Sequence, residues 1–100
     1  MKMIIYLVEQ MEDEIDDAES YYEKAIEVKD DFPNVSTTLI DIANQEIVHF
    51  QMLHNRATDM INKLKMEGKT IDEGMMYTYN YLHSKLVKRV EEIKYKIKNI

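Results

Sequence analysis

The stretch LIDIANQEIVHFQMLHNRATDMINKL, residues 39–64, repeats apolar side chains at intervals of three and four residues. This spacing puts one side chain per turn on the same face of an α-helix, whereas a half-buried strand would alternate apolar and polar residues. The face consists of Leu39, Ala43, Glu46, Phe50, Leu53, Ala57, Met60 and Leu64. The stretch therefore predicts a long amphipathic helix that carries one acid, Glu46, on its apolar face.

Two breaks separate this helix from its neighbours, because the chain has only two glycines and one proline. They are DDFPN at 30–34 and EGKTIDEG at 67–74. Pro33 suits the first turn of a helix, where its missing N–H is not needed. Thr70 and Glu73 have the spacing of a capping box, which marks a helix start. We therefore predict one all-α domain, residues 1–100, with helices at 2–30, 34–66 and 71–98.

The flanking helices show the same periodicity as the middle one. The first carries Ile4, Leu7, Met11, Glu14, Ala18, Tyr21, Ala25 and Val28 on its apolar face. The third carries Ile71, Met75, Tyr79, Leu82, Leu86, Val90, Ile93 and Ile97. Acids on the predicted apolar faces thus occur in the first two helices, at Glu14 and Glu46.

Composition excludes several kinds of site. The absence of cysteine removes disulfides, thiolate zinc sites and thiol nucleophiles. Residues 1–35 carry 11 acids against 3 bases, which argues against nucleic acid as a partner of this third of the chain. The apolar run MIIYLV at 3–8 is too short for a secretion signal or a membrane span. We expect no membrane partner and a cytoplasmic location.

Glu46 and His49 lie three residues apart, so both can reach one point beside their helix. If the first two helices form an antiparallel hairpin, Glu14 lies at a comparable depth, because its midpoint with Glu46 falls at the turn. A carboxylate in a bundle interior needs a cation, a proton or a hydrogen-bond donor. Carboxylate and imidazole ligands without sulfur suit iron, manganese or zinc. A hydrogen-bonded Glu46–His49 pair in a purely structural bundle is the alternative.

These residues resemble the ferritin-like superfamily, meaning the rubrerythrin, bacterioferritin and encapsulated-ferritin group. The resemblance covers about residues 3–65 and consists of Glu14 followed seven residues later by Tyr21, of EIVH at 46–49, and of the 32-residue separation between the two glutamates. It implies that Glu14, Glu46 and His49 are iron ligands of a di-iron carboxylate centre that oxidises Fe(II). Manganese or zinc could replace iron.

The chain carries this ligand set once, because the third helix has Asn80 three residues before His83 instead of a second glutamate. The resemblance to short encapsulated ferritins therefore implies a homodimer or larger homo-oligomer, in which two hairpins form a ferritin-like four-helix bundle that holds two irons. The alternative function is a non-catalytic adaptor or metal-binding interaction protein, which docks a protein partner through KLVKRVEEIKYKIK at 85–98. His54 and His83 are predicted to be surface or hydrogen-bonded histidines, and Tyr21 a packing residue.

Overall fold

Three helices make up the computed structural model, which describes residues 2–69 and 71–100. They are α1 (Lys2–Val28), α2 (Pro33–Met66) and α3 (Glu73–Lys98). The all-α prediction is confirmed, and the described residues include no strand. The observed helix limits lie within two residues of those predicted. Among the described residues, no helix combines the length and the apolar character that crossing a bilayer requires.

The α1–α2 turn is short and is held by a buried side chain. Pro33 opens α2, as its fixed backbone angle favours. One turn later the buried Ser36 hydroxyl donates a hydrogen bond to the carbonyl of Ala25, at 2.8 Å. This bond joins the end of α1 to the start of α2, so it fixes the direction in which α2 runs back along α1.

The α2–α3 turn begins at Gly68, whose φ of +68° lies in the left-handed region that glycine adopts without strain. The Gly68 N–H donates to the carbonyl of Lys65 and the Lys69 N–H donates to that of Leu64, which is the Schellman pattern of a helix end. At the start of α3 the Asp72 carboxylate accepts from the Met75 N–H at 3.0 Å. The predicted cap at Thr70 lies outside the described residues, and Asp72 is the N-cap of α3.

Helix α1 lies at the centre of the packing, because it contacts both α2 and α3, whereas α2 and α3 contact each other sparsely. The largest fully buried side chains come from α1 and α3 and are Ile4, Val8, Met11, Ile15, Leu86, Val90 and Ile93. Helix α3 runs in the same direction as α1, since Lys29 after α1 contacts the carbonyl of Ile100 after α3. Arg89 of α3 also pairs with Asp16 and Glu19 of α1.

The hairpin of α1 and α2 has a second apolar face, which α3 does not cover. Asp16 and Glu19, which bind α3, lie about 140–160° around α1 from Glu14. We call this uncovered face the open stripe. Its half-buried members are Gln10, Glu14, Tyr21 and Val28 of α1 with Leu39, Ile42, Glu46, Leu53, Met60 and Leu64 of α2. It contains both of the acids that the sequence places on apolar faces.

Candidate metal centre

The structure brings Glu14, Glu46 and His49 together in the middle of the open stripe. Glu14 is halfway along α1. Glu46 and His49 lie on successive turns of α2 and face Glu14. The convergence follows from the antiparallel register, because residue 30, midway between the two glutamates, lies in the α1–α2 turn. The three side chains each offer one ligand atom, and these atoms lie within 4.8 Å of one another.

His49 faces both carboxylates through the same ring nitrogen. Its Nδ1 lies 3.4 Å from Oε2 of Glu14 and 3.9 Å from Oε2 of Glu46. Both distances exceed those of a well-formed hydrogen bond. Two ligand atoms that share one metal ion are about 3 Å apart, so small side-chain rotations would bring this set to bonding geometry.

Burial differs across the cluster. The side chains of Glu14 and Glu46 are 22% and 17% exposed, whereas that of His49 is 51% exposed. Oε2 of Glu14 is fully buried and has no hydrogen-bond donor among the residues that the structure describes. A buried acceptor without a donor loses about 1–3 kcal/mol, and more when it is charged. A proton shared with Glu46 or a bound cation would compensate the burial of this oxygen.

The pKa of Glu46 is raised above its ordinary value for three reasons. The largest is that its carboxyl can share a proton with that of Glu14, the second is burial, and the third is repulsion by the charge of Glu14. Attraction by His49 acts in the opposite direction but is smaller. A carboxyl whose pKa is raised by burial and by a neighbouring carboxyl is typical of sites that bind a proton or a metal ion.

The donor set fits a hard or borderline divalent cation. Two carboxylates and one imidazole match the preferences of iron, manganese and zinc. Three ligands leave open positions on any of these ions, and the exposed ring of His49 shows that the site opens to the surface. Within one chain the cluster is therefore a partial coordination shell.

The two remaining histidines, His54 and His83, lie next to each other between α2 and α3. Nε2 of His54 on α2 lies 2.5 Å from Nε2 of His83 on α3. The two rings are hydrogen-bonded to each other, and both residues are half-buried. Sequence reasoning placed each one on its own helix and missed the pair, although the α2–α3 register contains the signal. Tyr21 packs against the core, as predicted.

Comparison with known proteins adds no family to this description, since no family model, curated protein or solved structure matches the chain.

Proposed function

We propose that this chain is a ferritin-like iron-binding protein in which two copies pair along their open stripes and share a di-iron carboxylate centre. The observation that carries the proposal is the convergence of Glu14, Glu46 and His49, where the buried Oε2 of Glu14 accepts no hydrogen bond from the residues that the structure describes. In the metal-free protein a proton shared with Glu46 can compensate this oxygen, and a cation held between Glu14, Glu46 and His49 would compensate both carboxylates at once.

The second copy supplies what one chain lacks. The open stripe has leucine, isoleucine and methionine side chains on both sides of the ligand cluster, such as Leu39, Leu53 and Met60. Two stripes packed about a two-fold axis bury these side chains and form a four-helix bundle from two hairpins. The dimer then has four glutamates and two histidines in its core, which is the ligand set of bundle di-iron centres.

The substrate of this centre is Fe(II). The carboxylates of Glu14 and Glu46 offset the charge of the bound ions, and each can bind through one or both oxygens as the iron charge rises. His49 supplies a neutral nitrogen. Two Fe(II) ions give up one electron each, and dioxygen with two protons takes up both electrons to form hydrogen peroxide. Two Fe(III) ions are the product.

The test is an anaerobic Fe(II) titration of the purified protein, followed by measurement of Fe(II) consumption in air. We expect two irons per dimer and consumption well above the buffer rate. Glu14→Gln, Glu46→Ala and His49→Ala each reduce consumption to the buffer rate. Glu12→Gln is the matched control, because Glu12 is an exposed acid on the same helix. Normal oxidation by the Glu14→Gln protein refutes the proposed centre.

A second candidate function is a non-catalytic adaptor. It is favoured by three tyrosines of α3 that are exposed to solvent, Tyr77, Tyr81 and Tyr95. In this case α3 docks on a partner protein, and the Glu14–Glu46–His49 cluster has only a structural role. The same titration separates the two candidates, because an adaptor binds no stoichiometric iron.

A further inference from the structure

The His54–His83 pair has the geometry of two ligands that are aimed at one point. The Nε2 atoms are 2.5 Å apart, the ring centroids are 4.6 Å apart and the ring planes differ by 20°. The centroid separation is close to the nitrogen–nitrogen distance plus the two ring radii. The rings therefore meet edge to edge, and each Nε2 points at the other along the line between them.

Two imidazole nitrogens in this arrangement share one proton, because two lone pairs repel each other and two N–H groups collide. One ring then donates its N–H to the lone pair of the other. A metal ion can replace this proton, since each neutral ring then offers it a lone pair. We propose that His54 and His83 form a second metal site, which binds one divalent transition-metal ion such as Zn²⁺ and links α2 to α3 within a single chain.

Only a small movement is needed to admit the ion. Zinc binds imidazole nitrogen at about 2.0–2.1 Å, so two nitrogens in a tetrahedral shell are about 3.3 Å apart. The two rings must move apart by about 1 Å and tilt, so that both lone pairs point at the ion. The pair borders an open cleft of about 310 Å³ that Thr58 and Asn80 also line, so their oxygens or water can complete the shell.

Neighbouring rings hold the two histidines in position. Phe50 and Tyr79 are both buried, and their centroids lie 6.2 Å from that of His54 and 5.6 Å from that of His83, respectively. Their planes lie within 20° of the planes of the imidazoles. Packing of this kind reduces the side-chain entropy that is lost when a ligand ring is fixed, and so favours binding.

The surroundings of the pair favour neutral nitrogen ligands. Burial, and next the proximity of His54, lower the pKa of His83. The cleft is lined by one cationic side chain, Lys65, and by no carboxylate. Neutral nitrogen ligands without carboxylates select zinc, nickel or copper over magnesium or calcium, in contrast to the glutamate-rich cluster on the open stripe.

The proposal is tested by calorimetric titration of Zn²⁺ into the Glu46→Gln protein, which lacks one ligand of the other site. We expect one Zn²⁺ per chain. Adding His54→Ala or His83→Ala weakens binding at least tenfold, whereas adding His49→Ala leaves it unchanged. His83→Gln keeps a hydrogen-bonding side chain but lacks the imidazole ligand. It should also lose zinc binding, and it separates loss of the ligand from loss of the folded structure.

A second readout uses stability. Zn²⁺ should raise the thermal midpoint of the Glu46→Gln protein but not that of the same protein with His83→Gln. Zinc affinity that does not change in either histidine variant overturns the proposal and leaves an ordinary hydrogen-bonded pair. Failure of the shared iron centre has a different signature, since the wild type then binds no stoichiometric iron while the zinc results are unaffected.

Discussion

The Glu14–Glu46–His49 cluster and the His54–His83 pair share helix α2, and His49 and His54 are five residues apart. The two groups nevertheless differ in the hydrogen bonding of their polar atoms. The cluster has two half-buried carboxyls, and one of them has a buried oxygen that accepts no hydrogen bond within the described part of the chain. The pair has no carboxylate, and each ring nitrogen already faces its partner.

The two groups also differ in where their members come from. The cluster lies on the open stripe, where α1 and α2 have no third helix to cover them. The pair lies between α2 and α3, so both of its members come from a single chain. We therefore expect iron at the cluster to depend on dimerisation, and zinc at the pair to be independent of protein concentration.

The largest expected effect comes from a variant that blocks the dimer without removing a ligand. Leu53→Glu puts a charge on the open stripe, so the protein should become monomeric and lose stoichiometric iron binding while it keeps zinc at the His54–His83 pair. Light scattering and parallel iron and zinc titrations measure both effects. Val48→Glu is the control, because Val48 is 57% exposed and lies about 160° around α2 from Glu46. A Leu53→Glu protein that remains a dimer and binds iron normally would contradict dimerisation along the open stripe.

A smaller effect is expected at the pair. With a chelator present at pH 7.5, a double-mutant cycle of His54→Ala and His83→Ala should give a coupling free energy of about 1 kcal/mol, because each ring is the other's hydrogen-bond partner. The lowered pKa of His83 means that the folded protein favours the neutral ring. Its contribution to stability is present above the ordinary pKa and is lost as pH falls through the lowered value. Urea unfolding at pH 7.5 and at acidic pH checks the coupling, which should shrink in acid.

The smallest effect is the pH dependence of the metal-free cluster. The raised pKa of Glu46 means that the folded protein favours its protonated form. This contribution is fully present below the ordinary value of 4.5 and is lost as pH rises through the raised value. Wild type should therefore lose more stability over this window than Glu46→Gln does. The stability of Glu12→Gln should depend on pH as that of wild type does. An equal pH dependence of stability in all three proteins would show that the pKa of Glu46 is not raised.

The sequence was sufficient to predict the three helices and the convergence of Glu14 with Glu46, because glycine, proline and apolar spacing fix the turns and the register. The same argument from helix register applies to His54 and His83. The midpoint of His54 and His83 falls between residues 68 and 69, in the α2–α3 turn. The pair was missed because each histidine was assessed on its own helix.

Other features depend on interactions that periodicity does not encode. The start of α3 depends on the hydrogen bond from the Met75 N–H to the Asp72 carboxylate. The packing of α3 mainly on α1 involves pairing of Arg89 with Asp16 and Glu19, which are 73 and 70 residues away in the chain. The burial of Glu14 Oε2 depends on how the side chains of the two helices pack in the hairpin.

The shared centre is tested most directly by thermal unfolding of wild type and Glu46→Gln, each with a chelator and with Fe(II) under anaerobic conditions. Gln keeps the shape and the hydrogen-bonding groups of Glu46 but removes its charge. We predict that the metal-free Glu46→Gln protein is more stable than metal-free wild type by about 1 kcal/mol, which raises the midpoint by about 4–8 °C in a domain of this size. Fe(II) at one hundred times its dissociation constant should stabilise wild type by about 2.7 kcal/mol and leave the variant unchanged. A metal-free Glu46→Gln protein that melts below wild type, together with a wild type that does not respond to Fe(II), would contradict the shared centre and support a structural bundle.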